Sequence, residues 1–192
     1  MVFLAAVLGM RWGECAGLKV GAIDFESNTI AVVSQLTRGT KGEIVDGAPK
    51  WQSHRTIAAP ESLMDRLAEH LHRRGLVSAV GDNYVFVAPD GSELHYSNWR
   101  QRVWVPAVAK AGLGGLTFHA LRHANATAMV ALSVDIKTAQ ARVGHRRSST
   151  LLDIYAQATT AGDRRAADEL GRFFLGQAGR VETPRTNPPS SV

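Results

Sequence analysis

Two basic side chains in the segment HALRH, which runs from His119 to His123, have a spacing suited to phosphate chemistry. His119 and Arg122 are three residues apart, so on a helix they share a face. A guanidinium can donate two hydrogen bonds to the non-bridging oxygens of a phosphodiester, and an imidazole exchanges a proton near neutral pH. The pair suits a phosphodiester site, but taken alone it is more typical of partly exposed helix residues. His119 and His123 also have the spacing of two zinc ligands, but Ala120 leaves no general base for a zinc protease.

A candidate nucleophile follows in the segment VGHRRSSTLLDIYAQ. Gly144 and His145 end one predicted helix, and Tyr155 lies ten residues after His145 on the next. A phenol has a pKa of about 10, so it becomes an effective nucleophile only where cations surround it. A helical tyrosine is more often a core or surface residue. The meaning of this segment therefore depends on cations elsewhere in the chain.

Two further cations lie in the first third of the chain. Arg11 stands in the segment GMRWGE, in a short turn after an apolar helix, where Glu14 is close enough to orient it or to cap the next helix. Lys50 stands in APKWQSHRTIAAP, at the edge of the second strand, where it can reach a leaving-group oxygen and protonate it. Arg11 could be a surface cation, but an arginine directly after a buried helix more often points into a site or pairs with an acid such as Glu14. Lys50 alone is more typical of a solvated loop lysine.

The elements that position these residues follow from hydrophobic periodicity and turn chemistry. Strands are predicted at 29–37, 54–59 and 84–88, with a hairpin or flexible loop at 38–50 and a turn at 89–92. Helices are predicted at 2–9, 61–74, 97–111, 117–132, 135–143, from Ser148 or Ser149 through Tyr155, and at 161–175, with Ser97, Thr117 and Asp135 as caps. Four apolar side chains after the Arg11 turn are predicted to enter the core: Leu18, Val20, Ile23 and Phe25. The order of helix, small antiparallel sheet and further helices predicts a mostly helical α+β fold.

Composition limits the classes of protein that need considering. The 192 residues suit one domain, with 45% hydrophobic and 20% charged residues. A net charge of +5 favours a polyanionic partner such as nucleic acid. The single cysteine, Cys15, excludes an internal disulfide and a cysteine-based zinc site. No apolar run is long enough for a membrane span, and the first residues lack the features of a signal peptide.

The motifs together resemble one family. GMRWGE, PKWQSHRTI, HALRH, VGH and DIYAQ occur in the order, and at the separations, of the conserved boxes of tyrosine recombinases, the phage-integrase family. The resemblance covers about residues 3–175. It implies the recombinase catalytic fold and a site-specific recombinase or integrase that cleaves and rejoins DNA through a 3′-phosphotyrosyl bond. Val143 stands where the family usually has leucine, and Trp51 replaces a smaller residue after the lysine.

The resemblance also implies a role for each candidate catalytic residue. Tyr155 attacks the phosphate, and His119 is its general base or positions it. The remaining residues bind the phosphate oxygens or protonate the leaving group: Arg11, Arg122 and His145 for the oxygens, and Lys50 as the general acid. These side chains supply the positive field that a metal would otherwise provide, so no metal, other cofactor or ATP is expected.

The expected domain organisation and partners follow from the same resemblance. Residues 1–175 form the catalytic domain, with its first helix truncated and the family's core-binding domain absent, and 176–192 form a disordered tail. The expected partner is double-stranded DNA, with a tetramer on DNA in the full-length protein, in the bacterial cytoplasm near the nucleoid. Three alternatives stay open: a DNA-binding remnant of a prophage integrase without recombination activity, a type IB topoisomerase-like enzyme, and a metal-dependent nuclease.

Overall fold

The computed structural model describes residues 1–49, 53–76, 81–144 and 167–173. From residue 1 to 144 the described elements run from two short helices through small antiparallel sheets to further helices. This order confirms the predicted α+β class. Residues 167–173 are helical and lie within the helix predicted at 161–175. The predictions for the helix through Tyr155 and for the tail at 176–192 fall on residues outside those described.

A short buried helix, α1 (Val2–Leu8), opens the chain, as predicted. Its buried residues are Leu4, Ala5 and Leu8. It ends at Gly9, whose φ of 67° is the left-handed conformation that glycine adopts most easily. The helix α2 (Trp12–Ala16) follows after one turn, and a single 3-10 turn (Val20–Ala22) leads into the first strand.

Two separate antiparallel sheets follow. The strands β1 (Ile23–Asp24), β2 (Thr29–Val32) and β5 (Arg55–Ala58) form a three-stranded sheet in the order β1-β2-β5. The strands β3 (Gln35–Arg38) and β4 (Ile44–Gly47) form the predicted hairpin. In the larger sheet Ile30 pairs with Ile57 and Val32 pairs with Arg55. Opposed residues share a face of a sheet, so Arg55 lies on the same face as the buried aliphatic side chains.

The single strand predicted at 29–37 is wrong, because the chain leaves the larger sheet after Val32. Val33 is exposed, and Ser34 Oγ donates a hydrogen bond to Gly17 O at 2.6 Å. Gly17 allows the approach, since a Cβ there would lie 2.8 Å from the Cα of Gln35. A tertiary contact thus divides the segment into β2 and β3.

Helices form most of the remaining described chain. They are α3 (Glu61–Arg73), α4 (Tyr96–Trp99), a π-helical segment (Arg100–Trp104), α5 (Val105–Lys110), α6 (Phe118–Ala131) and α7 (Ile136–Val143). On α3 the predicted apolar face is buried: Leu63, Leu67 and Leu71. Thr117 and Asp135 cap α6 and α7 as predicted, each accepting a hydrogen bond from a backbone N–H three residues on.

Three local predictions differ from the structure. The helix predicted to start at Ser97 starts at Tyr96, and Ser97 Oγ lies 3.0 Å from His95 Nδ1. The strand predicted at 84–88 is reduced to one bridge, because Arg74 Nη1 donates to the carbonyls of Tyr84 and Val85. Of the four side chains predicted to enter the core after Arg11, three are buried, but Phe25 is 41% exposed.

The helix α6 docks on the end of α1 through polar contacts. Asn125 Nδ2 donates to the carbonyls of Ala6 and Val7 at 2.9 and 3.0 Å, and Arg122 Nη1 donates to Gly9 O. These carbonyls belong to the last turn of α1 and to its capping residue, where acceptors lack intrahelical partners. A Cβ on Gly9 would lie 2.7 Å from Asn125 Oδ1, so glycine is required for this close packing.

Candidate active site

Three guanidinium groups converge on the C-terminal end of α7. Three successive carbonyls there each accept a hydrogen bond from a different arginine: Arg142 O from Arg55 Nε (2.8 Å), Val143 O from Arg122 Nη2, and Gly144 O from Arg11 Nη2 (3.1 Å). A helix carries partial negative charge at this end, so cations are favoured there. Because the arginines come from the start of α2, from β5 and from α6, the cluster exists only in the folded chain.

Glu14 is the acidic residue of the cluster. Its buried carboxylate accepts hydrogen bonds from Arg11 N (2.8 Å), Arg11 Nη1 (2.7 Å), Arg55 Nη1 (3.1 Å) and Arg55 Nη2 (2.8 Å). Burial raises the pKa of a carboxyl group, but here the hydrogen bonds and charges of Arg55 and Arg11 outweigh it, and the pKa of Glu14 is lowered. Glu14 is therefore ionised at neutral pH. The structure confirms both predicted roles, since Glu14 orients the Arg11 side chain and caps α2.

Arg11 and Arg55 differ in their access to solvent. The Arg11 side chain is 24% exposed, whereas the Arg55 side chain is 7% exposed. Arg11 is the N-terminal capping residue of α2, with an extended backbone that directs its side chain across Glu14 toward Gly144. A ligand at this surface can reach the Arg11 guanidinium more easily than that of Arg55.

Arg122 is the most deeply buried of the three arginines, at 2% exposure. Burial, followed by the positive charge of Arg11, lowers the pKa of Arg122 to about 9, which still leaves the guanidinium charged at neutral pH. Its two Nη atoms donate to Gly9 O and Val143 O, while its buried Nε has no partner among the described residues. A buried donor without an acceptor is costly, so a further hydrogen-bond partner for this N–H is expected.

His119 lies one turn before Arg122 on α6 and is exposed. Partial burial of the ring, together with the positive charges of Arg122 and Arg11, lowers the pKa of His119 below its usual value of 6.5. The imidazole is therefore neutral at pH 7 and can accept a proton. The predicted pairing of His119 with Arg122 thus places a neutral base beside two fixed cations.

Of the six predicted catalytic residues, the structure brings three together: Arg11, His119 and Arg122. Lys50, His145 and Tyr155 lie outside the described residues. Their roles stay predictions. In the chain, Lys50 belongs to the connection between β4 and β5, and His145 directly follows Gly144.

Sequence reasoning missed Arg55 and Asn125 as members of this cluster. The sequence did contain a signal for Arg55. This residue lies two residues before the buried Ile57 on β5, so both side chains lie on the same, inward face of the strand. An inward arginine requires a buried acid or carbonyl groups as partners. Asn125 follows Arg122 by three residues, and therefore shares its helix face.

A cleft of about 310 Å³ lies beside the cluster and is mainly apolar. Its lining includes Trp12, Leu36, Ile44, Leu94 and Tyr96. Its lining includes none of the three arginines and no carboxylate, so the cleft is distinct from the arginine cluster.

No group of three or more His, Cys, Asp or Glu side chains that could hold a metal ion occurs within the part of the chain that the structure describes. None of the helices in that part is both long and apolar enough to cross a membrane.

The sequence matches a family model described as the phage integrase family over residues 1–161. A protein named tyrosine recombinase XerC-like, from Caldanaerobacter subterraneus subsp. tengcongensis, is 28% identical to this chain over 193 residues, covering 91% of it and 49% of the relative. The integrase of Staphylococcus phage L54a is 25% identical, covering 90% of this chain and 51% of the phage protein. The chain thus spans about half the length of the curated relatives that it matches.

Solved structures share the fold. The integrase of transposon Tn1549, in complex with circular intermediate DNA, superposes with a TM-score of 0.73 at 25% identity, over 88% of this chain and 58% of the integrase chain. The XerA recombinase superposes with a TM-score of 0.61 at 24% identity, over 87% of this chain and 55% of its own. With a family match over most of its length and this shared fold, the chain belongs to the phage integrase family.

Proposed function

We propose that this chain is the catalytic domain of a site-specific DNA recombinase that cleaves and rejoins strands through a 3′-phosphotyrosyl bond to Tyr155. The observation that carries the proposal is the convergence of Arg11 and Arg122 on the end of α7, immediately before His145 in the chain. Family membership over residues 1–161 supports the same reaction. The catalytic domain is proposed to span residues 1–175.

In the proposed site the scissile phosphate lies against the two arginines. Arg11 offers a partly exposed guanidinium, and Arg122 offers a buried Nε that lacks an acceptor among the described residues. Donors held in place before the reaction stabilise charge that develops on the non-bridging oxygens. His145 is proposed to add a hydrogen bond to the same phosphate.

The proposed reaction exchanges one phosphodiester bond of DNA for a phosphotyrosyl bond and then restores the phosphodiester. The phenol oxygen of Tyr155 attacks phosphorus while its proton passes to the neutral imidazole of His119, and a new P–O bond forms to tyrosine. The bond to the 5′ oxygen breaks, and Lys50 donates a proton to that oxygen. A 5′-hydroxyl of the partner strand then attacks the phosphotyrosine, which restores the phosphodiester and the phenol. The arginines, histidines and lysine are proposed to supply the required positive charge without a metal, another cofactor or ATP.

Double-stranded DNA is the proposed substrate. The Tn1549 integrase that shares this fold was solved in complex with DNA, and the net charge of +5 suits a polyanion. We extend the proposal to a tetramer on DNA formed by the full-length protein, acting in the cytoplasm at the nucleoid.

A covalent adduct assay tests the proposal. The protein is incubated with a nicked duplex taken from the flanks of its own gene, so that cleavage releases a short strand and traps the adduct. Wild type is expected to give a protein–DNA band on a denaturing gel that persists in EDTA. Tyr155→Phe removes only the nucleophilic oxygen and is expected to abolish the band, whereas Tyr96→Phe, a matched change at an exposed tyrosine on α4, is expected to keep it.

Each contrary outcome favours a different function. DNA binding without an adduct would favour a binding protein that no longer recombines. An adduct that relaxes a supercoiled plasmid without exchanging strands would favour a topoisomerase. Cleavage that EDTA abolishes would favour a metal-dependent nuclease.

A further inference from the structure

Arg55 shares the carboxylate of Glu14 with Arg11, yet it belongs to none of the roles proposed above. We infer that Arg55 is a positioning residue of the proposed site, which neutralises Glu14 and leaves the charge of Arg11 for a DNA phosphate. The inference rests on the proposed function, because it concerns the same phosphate site.

The first argument is the geometry of the shared carboxylate. Arg55 donates to both oxygens of Glu14, at 3.1 and 2.8 Å, whereas the Arg11 side chain donates to one of them at 2.7 Å. The bidentate pair with Arg55 is the stronger arrangement for a carboxylate. Arg11 then keeps donors for other acceptors, and one of them already reaches Gly144 O.

Solvent access assigns different tasks to the two arginines. The Arg55 side chain is 7% exposed, and its Nε and both Nη atoms already donate to protein acceptors. The Arg11 side chain is 24% exposed. Arg55 therefore acts through Arg11 rather than on the substrate.

Charge balance gives the second argument. The cluster holds three guanidiniums, of Arg11, Arg55 and Arg122, and one carboxylate, so two positive charges remain after pairing. A phosphodiester carries one negative charge, and its pentacovalent transition state carries two. Without Arg55, Glu14 would cancel the charge of Arg11, and one positive charge would remain for a doubly charged transition state.

Arg55 also fixes the end of α7 against which Arg11 lies. Its Nε donates to Arg142 O at 2.8 Å, and its guanidinium packs against Gly144, where a Cβ would lie 2.9 Å from Nη1. Gly144 O is in turn an acceptor for Arg11. One side chain thus sets both the charge and the position of the Arg11 guanidinium.

Salt dependence of DNA binding is the first test. Arg55→Met is expected to lower the slope of log Kd against log salt concentration by about one unit, which corresponds to one phosphate contact. The reason is that Glu14 then pairs with Arg11 and cancels its charge. Glu14→Gln combined with Arg55→Met is expected to restore the wild-type slope. Arg73→Met on the exposed face of α3 removes the same charge and is expected to leave the slope unchanged. Equal slopes for wild type and Arg55→Met would overturn the inference.

Cleavage of two matched substrates is the second test. One carries the normal scissile phosphodiester, and the other carries a neutral methylphosphonate, whose transition state has one negative charge less. Arg55→Met is expected to slow adduct formation on the normal substrate about 10- to 100-fold, a loss comparable to that from removing a residue that orients a metal ligand. The loss on the methylphosphonate is expected to be smaller, and the double variant is expected to recover on the normal substrate.

A purely structural role for Arg55 predicts a different pattern. Equal losses on both substrates, without recovery in the double variant, would overturn the inference. Should Arg55→Met not fold by circular dichroism, Arg55→Gln carries the comparison, because glutamine removes the charge but can still donate a hydrogen bond to Glu14. Arg55→Gln is then expected to show the same larger loss on the charged substrate.

The outcomes separate this inference from the proposed function. If wild type formed the adduct and Arg55→Met had the same salt slope and the same rates of adduct formation, only the role of Arg55 would be overturned. Wild-type DNA binding without any adduct would contradict the recombinase reaction, while the salt slopes would still decide whether Arg55 frees Arg11. A wild type that does not bind DNA would overturn both.

Discussion

Arg55 Nη2 lies 2.8 Å from Glu14 Oε2, and Nη1 of the same guanidinium lies 3.1 Å from Oε1. This bidentate ion pair joins β5 to α2 across 41 residues of sequence. Both side chains are buried, and the carboxylate is completely so. A buried pair of this kind takes both charges out of water, so each charge is stabilised by the other.

We predict that Arg55→Met destabilises the fold. It removes two hydrogen bonds from the buried carboxylate of Glu14 and leaves Arg11 as the partner of that charge, at a cost of about 1–3 kcal/mol of unfolding free energy. Urea denaturation followed by circular dichroism measures the loss. Glu14→Gln with Arg55→Met removes both charges and is expected to be more stable than Arg55→Met alone. A double variant as unstable as the single one would contradict the prediction.

Acid stability depends on the same carboxylate. The hydrogen bonds and charges of Arg55 and Arg11 outweigh burial and lower the pKa of Glu14 below its usual 4.5. The stabilisation is therefore complete above about pH 4.5 and is lost as the pH falls through the lowered pKa of the folded protein. The urea midpoint of wild type is expected to fall with acidification below that pH. Glu14→Gln is expected to show a weaker dependence.

An exposed glutamate on α3 provides the control for this measurement. Glu69→Gln also removes one carboxylate, but from a solvated position. We expect Glu69→Gln to follow the acid dependence of wild type. If Glu14→Gln and Glu69→Gln gave the same profile, the buried ion pair would not be the source of the acid sensitivity.

The fold was predictable where local signals suffice. The caps Thr117 and Asp135 and the leucine spacing of α3 placed three helices within one or two residues of their observed bounds. The glycine-rich segment likewise predicted a hairpin or a flexible loop, and the structure has the hairpin of β3 and β4. Such signals involve neighbours within one turn of the chain, so they need no knowledge of the rest of the fold.

Contacts between distant residues explain what the sequence did not reveal. The division of 29–37 depends on Ser34 meeting Gly17, and the loss of the 84–88 strand depends on Arg74. In the candidate site, the type and order of residues predicted Arg11, His119 and Arg122, which the structure brings together, but the pairing of Arg55 with Glu14 required the register of β5. Periodicity gives the face of a strand and not the partner beneath it.

The pKa of His119 is our third prediction. Partial burial, then the charges of Arg122 and Arg11, lowers it below 6.5. NMR titration of the imidazole, assigned with His119→Gln, is expected to give a value below 6.5. Arg11→Gln removes one of the positive charges and is expected to raise that value. A value at or above 6.5 in wild type would contradict the proposed neutral base.

The pH dependence of cleavage should follow the same group. Because neutral His119 accepts the phenol proton in the proposed reaction, the rate of adduct formation is expected to rise through the lowered pKa and to level off before pH 7. His119→Gln is expected to lose this acid limb and to be about 100- to 10,000-fold slower, the range for a general base. An unchanged rate of adduct formation in His119→Gln would show that His119 is not the general base.

The contact between Gly144 and Arg55 yields the last prediction. Gly144 has a φ of 63°, so Gly144→Ala costs about 1–2 kcal/mol in backbone strain alone. The added Cβ would also lie 2.9 Å from Arg55 Nη1 and 3.1 Å from Cζ. A free arginine tip would move aside, but this one is held by Glu14 and by Arg142 O, so its displacement breaks those hydrogen bonds.

Gly75 provides a matched control, since its φ is 68° and a Cβ there would meet no atom within 4 Å. Gly75→Ala is expected to show the backbone strain alone. Urea denaturation is then expected to find Gly144→Ala less stable than Gly75→Ala, and in an Arg55→Met background the difference should shrink because the clash is gone. Equal losses for the two alanine variants in the wild-type background would show that Arg55 is not fixed against the end of α7.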